Sequence, residues 1–192
     1  DKLEYKDALV KAQKLGYAET NPDSDVNGAD VASKLKILTA LAFNSYIDNK
    51  PILVEGIKNI DQTDIYNANQ LGYKIKLIGI AELKNNKIIQ RVHPALIQQN
   101  SYIGKINGVL NAVIIESNPV GKTVLQGEGA GPGPTTSSLV SDLCSILRGN
   151  VKFPFVLSDK KRKLAIFGDA SNKNFSVYLR LDVKDKHGIL SN

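Results

Sequence analysis

The chain has 192 residues and a mass of 20.9 kDa, enough for one domain of ordinary size or one domain with an appendage. A chain this long buries about 70% of the surface its unfolded form exposes, so it needs no disulfide or structural metal to hold together. Net charge is +6 but divided unevenly: residues 1–70 carry 8 basic against 11 acidic side chains, a balance of −3, while 71–192 carry 17 against 8, a balance of +9.

The single cysteine, Cys144, leaves no disulfide framework and no thiolate-rich zinc site, and His93 and His187 lie too far apart in sequence to suggest a histidine metal centre. No metal is expected. No apolar run approaches the roughly 20 residues that span a bilayer, and no signal-peptide pattern opens the chain, so the reading is soluble and cytoplasmic, with no membrane partner. Methionine is absent, which implies a processed or truncated piece. The densest basic run, Lys160-Lys161-Arg162-Lys163, has no interleaved aromatic residue to stack on bases. It reads as a solvated loop, and no nucleic-acid partner is expected.

Taken in order, the elements alternate helices with strands. Ala8, Leu9, Ala12 and Leu15 recur at helical spacing over residues 5–15, and Gly16 supplies a stop. After a polar loop with Pro22, Asp25 or Asn27 can cap a helix over 28–44 whose apolar stripe includes Val31, Leu35, Leu38 and Ala42. A short helix follows Asp61 or Thr63 and ends at Gly72. Residues 73–81 read as a strand, Asn85-Asn86 suits a two-residue hairpin turn, and 87–92 return as its partner. Residues 108–116 and 122–126 form two more strands. A glycine-rich stretch, 127–134, then leads into a helix over 135–148. Past Gly149 a basic connection leads to a strand at 175–184, with a domain boundary near 149–172.

Two phosphate-binding patterns fail. Gly127-x-Gly129-x-x-Pro132 has proline where a dinucleotide fingerprint needs its third glycine, and no βαβ unit surrounds it. Gly121-Lys122-Thr123 has Glu116 where a P-loop needs its first glycine, and a strand follows instead of a helix. Cys144 lies on one stripe with Leu139, Val140, Leu143 and Leu147, which reads as a buried core thiol.

Residues 16–35 carry the chemistry. Glu19, Asp23, Asp25 and Asp30 crowd four carboxylates ahead of Lys34. On a helix over 28–44, Asp30 and Lys34 stand at i and i+4, within ion-pair reach. The plain account is a solvent-exposed pair beside acids favoured by the helix dipole. The functional account has the acids hold an ammonium-bearing substrate while a desolvated Lys34 exchanges a proton with a carbonyl oxygen.

Gly16-Tyr17-x-Glu19-x-x-Pro22-x-x-Asp25-x-x-Gly28-x-Asp30-x-x-x-Lys34 resembles the signature of the homoserine dehydrogenase family. The likeness continues through 76–79, 91–94, 107–113 and 127–135, so it covers roughly residues 5–148 with the motifs in matching order. The resemblance implies an α+β fold, a mixed and mainly antiparallel sheet covered by helices, with the dinucleotide-binding Rossmann domain largely absent from this chain. It implies reversible NADP- or NAD-dependent reduction of L-aspartate 4-semialdehyde to L-homoserine, on the route to threonine and methionine. Lys34 matches the catalytic lysine and Asp30 the acid that orients it. Glu19 matches the carboxylate that binds the substrate amino group, and Tyr17 and Asp25 line the same pocket. Gly131, with Gly129, matches the glycine turn that approaches the cofactor.

The resemblance further divides the chain into a substrate-binding and dimerisation part (1–128), a helix returning to the nucleotide domain (129–149), a linker (150–174) and the truncated start of an ACT domain (175–192). A homodimer or higher homo-oligomer is implied, and a chain without most of its cofactor domain is expected to be inactive alone. A regulatory amino-acid-binding module of the ACT type, without catalysis, is the competing reading. It leaves the acid-rich segment at 17–34 without a purpose.

Overall fold

The computed structural model describes residues 3, 5–46, 52–150, 163–164, 166–168 and 174–183. Lys160, Lys161 and Arg162 of the basic run, most of the linker expected at 150–174, and the end of the ACT-like stretch beyond 183 lie outside the described residues. What is described is an α+β arrangement of small mixed sheets and helices.

Helix α1 (Tyr5–Lys14) stops where expected. Gly16 adopts φ +74°, and the Tyr17 N–H turns back to the Ala12 carbonyl at 2.9 Å. None of its residues is buried, including the predicted stripe. A single turn, α2 (Asp23–Val26), precedes α3 (Ala29–Phe43). The start of α3 is set by Gly28 at φ +83°, and Asn27 Oδ1 accepts the Ala29 N–H at 2.9 Å. The cap position is Gly28, without a side-chain cap bond, so neither proposed residue is the cap; Asn27, just before it, bonds the first N–H of the helix and Asp25 does not. The helix ends at Asn44, left-handed at φ 47°.

Strands β1 (Ser45–Tyr46) and β2 (Leu53–Val54), then helix α4 (Gln62–Gln70), lead to the long hairpin of β3 (Tyr73–Lys84) and β4 (Lys87–Gln98). The ladder runs from Tyr73 opposite Gln98 to Lys84 opposite Lys87, and its turn residues Asn85 and Asn86 sit at φ 49° and 58°. Asparagine tolerates that left-handed geometry, and its twist matches the strands. Strand β2 adds to β4 in parallel, placing Val54 opposite Val92, so the order is β2-β4-β3. Strands β5 (Leu110–Ser117) and β6 (Gly121–Glu128) pair as a separate antiparallel hairpin, and β1 pairs in parallel with β7 (Lys163–Leu164).

Helix α3 lies on one face of the three-stranded sheet. Ala32 and Leu35 pack with Val92, which is fully buried, and Val31, Ile52, Leu77 and Ala81 close around them. The approach is close because Gly79, opposite Val92, has no side chain: a Cβ there would meet Val31 Cγ1 at 3.0 Å. The buried stripe is Ala32, Leu35, Thr39 and Ala40. Leu38 and Ala42 of the expected stripe are exposed instead. Because nearly every position from 37 to 43 is apolar, packing on Gly79 sets the phase.

Helix α4 is held by a capping box. Asp61 accepts the Asp64 N–H at 2.9 Å, and Asp64 accepts the Asp61 N–H at 3.1 Å. Helix α5 (Pro132–Leu147) begins three residues earlier than expected, with Gly131 before it at φ 108°. Its apolar stripe is not core: Leu139, Val140, Leu143, Ile146 and Leu147 are all more than half exposed, and Cys144 is half-buried, not a core thiol. No described element covers that stripe. Residues 174–183, expected as a strand, join no ladder among the described residues.

Candidate active site

Helix α3 carries the central pair of candidates. With Leu35 and Ala32 turned to the sheet, Asp30 and Lys34 occupy the opposite flank, and Lys34 Nζ donates to Asp30 Oδ2 at 2.6 Å. Lys34 is 68% exposed and Asp30 37%, so the described residues do not desolvate the lysine. Ile37 and Leu41 extend the same outward face at 55% and 48% exposure.

The two other candidate groups approach from the ends of the sequence range. The loop after α1 is tied down by Gln13, whose Nε2 donates to the carbonyls of Glu19 at 2.9 Å and Thr20 at 3.3 Å. That loop sets the Tyr17 ring beside the glycine turn: Cε1 lies 3.6 Å from where a Gly131 side chain would begin. The turn is glycine for two separate reasons. Gly131 holds φ 108°, which side chains rarely adopt. Gly129 is crossed by Asn111, whose amide nitrogen would lie 2.1 Å from an added Cβ.

Asp30 and Lys34 are therefore in contact, and Tyr17 adjoins Gly131. Glu19 and Asp25 are exposed, and among the described residues no hydrogen bond or ion pair joins their carboxylates to Asp30 or Lys34. The surface recess along α3, about 380 Å³, is lined by Asn27, Ala29, Ala32, Ser33, Lys36, Ile52 and Val54. It lies on the flank away from Lys34, so the described residues do not wall the candidates into one enclosure.

Sequence reasoning missed the residues that support this arrangement. Asn111 on β5 braces Gly129, and β5 is fed by a loop pinned from β3 by two lysines. Lys74 Nζ donates to Gly104 O at 2.9 Å and Asn107 Oδ1 at 2.8 Å, and Lys76 Nζ donates to Ile106 O at 2.5 Å. Burial, and then the neighbouring Lys74 charge, lower the Lys76 pKa below the usual lysine range. The alternation Lys74-x-Lys76 was visible as a strand, but nothing local shows which loop it grips. No cluster of three or more His, Cys, Asp or Glu suited to a metal occurs among the described residues, and no described helix is long and apolar enough to cross a membrane.

This arrangement occurs in a chain that matches the homoserine dehydrogenase family over residues 1–144. The chain belongs to that family. It is 39% identical to the homoserine dehydrogenase of Helicobacter pylori over 187 residues, covering 97% of this chain and 44% of that protein. It is 36% identical to that of Bacillus subtilis over its whole length, again covering 44% of the relative. A solved homoserine dehydrogenase from Thiobacillus denitrificans superimposes with a TM-score of 0.76 at 36% identity, over 87% of this chain and 40% of that one. One from Staphylococcus aureus gives 0.68 at 38%, over 79% and 38%. The chain thus spans a little under half the length of the curated relatives it matches.

Proposed function

We propose that this chain carries the substrate-binding and acid–base part of a homoserine dehydrogenase, which interconverts L-aspartate 4-semialdehyde and L-homoserine in a cytoplasmic, homo-oligomeric enzyme of threonine and methionine synthesis. The observation that carries this reading is the Lys34–Asp30 contact at 2.6 Å on the open face of α3, in a chain that matches the family throughout that helix. Reduction of an aldehyde leaves charge on oxygen, and an ammonium beside that oxygen stabilises the alkoxide or protonates it. Lys34 supplies that proton. Asp30 holds the ammonium in place, and Glu19 takes the substrate amino group, with Tyr17 and Asp25 lining the same region. Enclosure of the face by the rest of the enzyme desolvates the pair.

A nicotinamide cofactor, NADP or NAD, supplies the hydride when bound. The residues present fit such a group: Gly131 offers bare backbone beside the Tyr17 ring, its left-handed conformation admits no side chain that would block the approach, and Gly129 leaves room for the Asn111 side chain that supports the turn. Residues 129–149 return toward the cofactor domain, while 1–128 form the substrate-binding and dimerisation part, with β3 as an edge strand of its sheet. The stretch from 175 opens an ACT regulatory domain.

The test is Lys34→Ala in the intact enzyme. Turnover should fall by about 10²- to 10⁴-fold, the usual worth of a positioned acid. Cofactor affinity, read by fluorescence titration, should stay within about twofold, because Lys34 is no part of the cofactor cradle. Turnover close to that of the wild type would return the pair to an ordinary surface contact.

A further inference from the structure

The face of the sheet opposite α3 is covered differently. Strand side chains alternate, so with Val92 under α3, Arg91 and His93 face the other way, and there they meet residues 174–183. The Arg91 guanidinium lies 5.2 Å from the centre of the Phe175 ring, and the His93 ring centroid is 6.4 Å from it. Further along, Asn67 of α4 donates to the Tyr178 hydroxyl at 3.1 Å. Arg180 Nη1 then reaches both carboxylates of the α4 capping box, Asp61 Oδ1 at 2.7 Å and Asp64 Oδ1 at 2.8 Å, and its Nε lies 3.8 Å from Asp182.

The segment is docked by the wrong side for a core element. Val177, Leu179, Leu181 and Val183 are 58–83% exposed, so past Phe175 its apolar alternate residues point to water, while Phe175, Tyr178 and Arg180 hold the protein. Such a segment lacks the burial that fixes a strand. Among the described residues its attachment is carried by the Arg180 guanidinium, the Tyr178 hydroxyl and the Phe175 ring. Beneath it, Arg91 is 7% exposed; its Nη2 lies 3.5 Å from Glu82 Oε1, and among the described residues its Nε and Nη1 find no hydrogen-bond partner.

We propose that residues 174–183 form a salt-sensitive strap, latched by Arg180 to the Asp61–Asp64 capping box, that releases as a unit and uncovers Arg91 while the sheet stays folded. The device joins the ACT-like end of the chain to the sheet that seats α3, and it stands whether or not Lys34 is the catalytic acid.

Amide hydrogen exchange by mass spectrometry on the intact protein tests it. At low salt the 174–183 amides should exchange at least about tenfold more slowly than an unstructured peptide, and Arg180→Ala should remove most of that protection. Arg180→Lys should retain part of it, since an ammonium cannot span both carboxylates as a guanidinium does. Raising KCl to about 0.5 M should loosen the wild-type strap in the same way, because exposed charges are screened beyond a few ångströms. Throughout, β3 and β4 should change by less than about twofold. The proposal fails if the strap exchanges freely in the wild type, if its protection ignores both salt and Arg180→Ala, or if β3 and β4 lose protection together with it.

Discussion

Helices α3 and α5 are similar in length and both carry an apolar stripe, yet they end in opposite conditions. Leu35 of α3 is 7% exposed, whereas Leu143 on the apolar stripe of α5 is 59% exposed. The difference lies in what each helix meets. Strand β3 offers α3 a glycine at residue 79, so the helix axis comes close enough for Val31 and Leu35 to reach the sheet. No described element offers α5 a comparable seat. Periodicity therefore announces that a helix has an apolar face, and only the opposing surface decides whether that face is core.

Leu35→Ala should sharpen this contrast most. It opens a cavity against Val92 and should cost about 2–5 kcal/mol by chemical denaturation, whereas Leu143→Ala in this same chain should cost less than about 0.5 kcal/mol. Equal losses would mean that α5 is packed as tightly as α3. A smaller effect separates two left-handed glycines. At Gly28, φ is +83° and an added Cβ would sit 3.0 Å from Val54 Cγ1, while Gly149 has φ +73° and open space around it. Both alanine variants should carry backbone strain of about 1 kcal/mol, and Gly28→Ala should cost about 1–2 kcal/mol more. Matching thermal shifts for the two would break that expectation.

The smallest effect is acidic. Hydrogen bonds from Arg180, then from the Asp64 N–H, hold the Asp61 pKa at about 2 against an ordinary 3.8. A depressed carboxylate pKa stabilises the folded form above the ordinary value, and that contribution drains away as pH falls through the folded one. The α4 cap and the strap should therefore loosen between pH 4 and pH 2, visible as faster exchange at Asp64 and 174–183. Under the same conditions the contact of α3 with Val92, which uses no carboxylate, should persist. Loss of both together would remove the distinction.

Much of this was legible in the sequence because local chemistry decides it. Gly16 and Gly72 stop helices at φ 74° and 80°, and Asn85-Asn86 turns the hairpin, since few residues tolerate those angles. The Asp30–Lys34 contact followed from helical spacing alone. What escaped depends on contacts distant in sequence. The phase of α3 was misjudged at Leu38 and Ala42 because the helix is apolar almost all round there. The alternation in 175–183 suggested a strand, but a strand exists only with a ladder partner, and the polar side of this one found an aspartate pair instead. Asn111 gave no local hint that it would cross Gly129, 18 residues further along and on the other side of the β5–β6 hairpin.

Gly28 ties the Asp30–Lys34 end of α3 to the strand register. Its Cα hydrogens face Val54 of β2 and Val92 of β4, and the two valines are register partners. Lys34 stands six residues further on, about 9 Å along the axis at 1.5 Å per residue. A one-residue slip of β2 against β4 would turn Val54 to the far face and unseat the helix at its origin. Lengthening the chain at the Asn85-Asn86 tip leaves the seat of α3 unchanged, whereas a single inserted residue between Val54 and Gly56 would be felt as misplacement of an ammonium that touches neither strand.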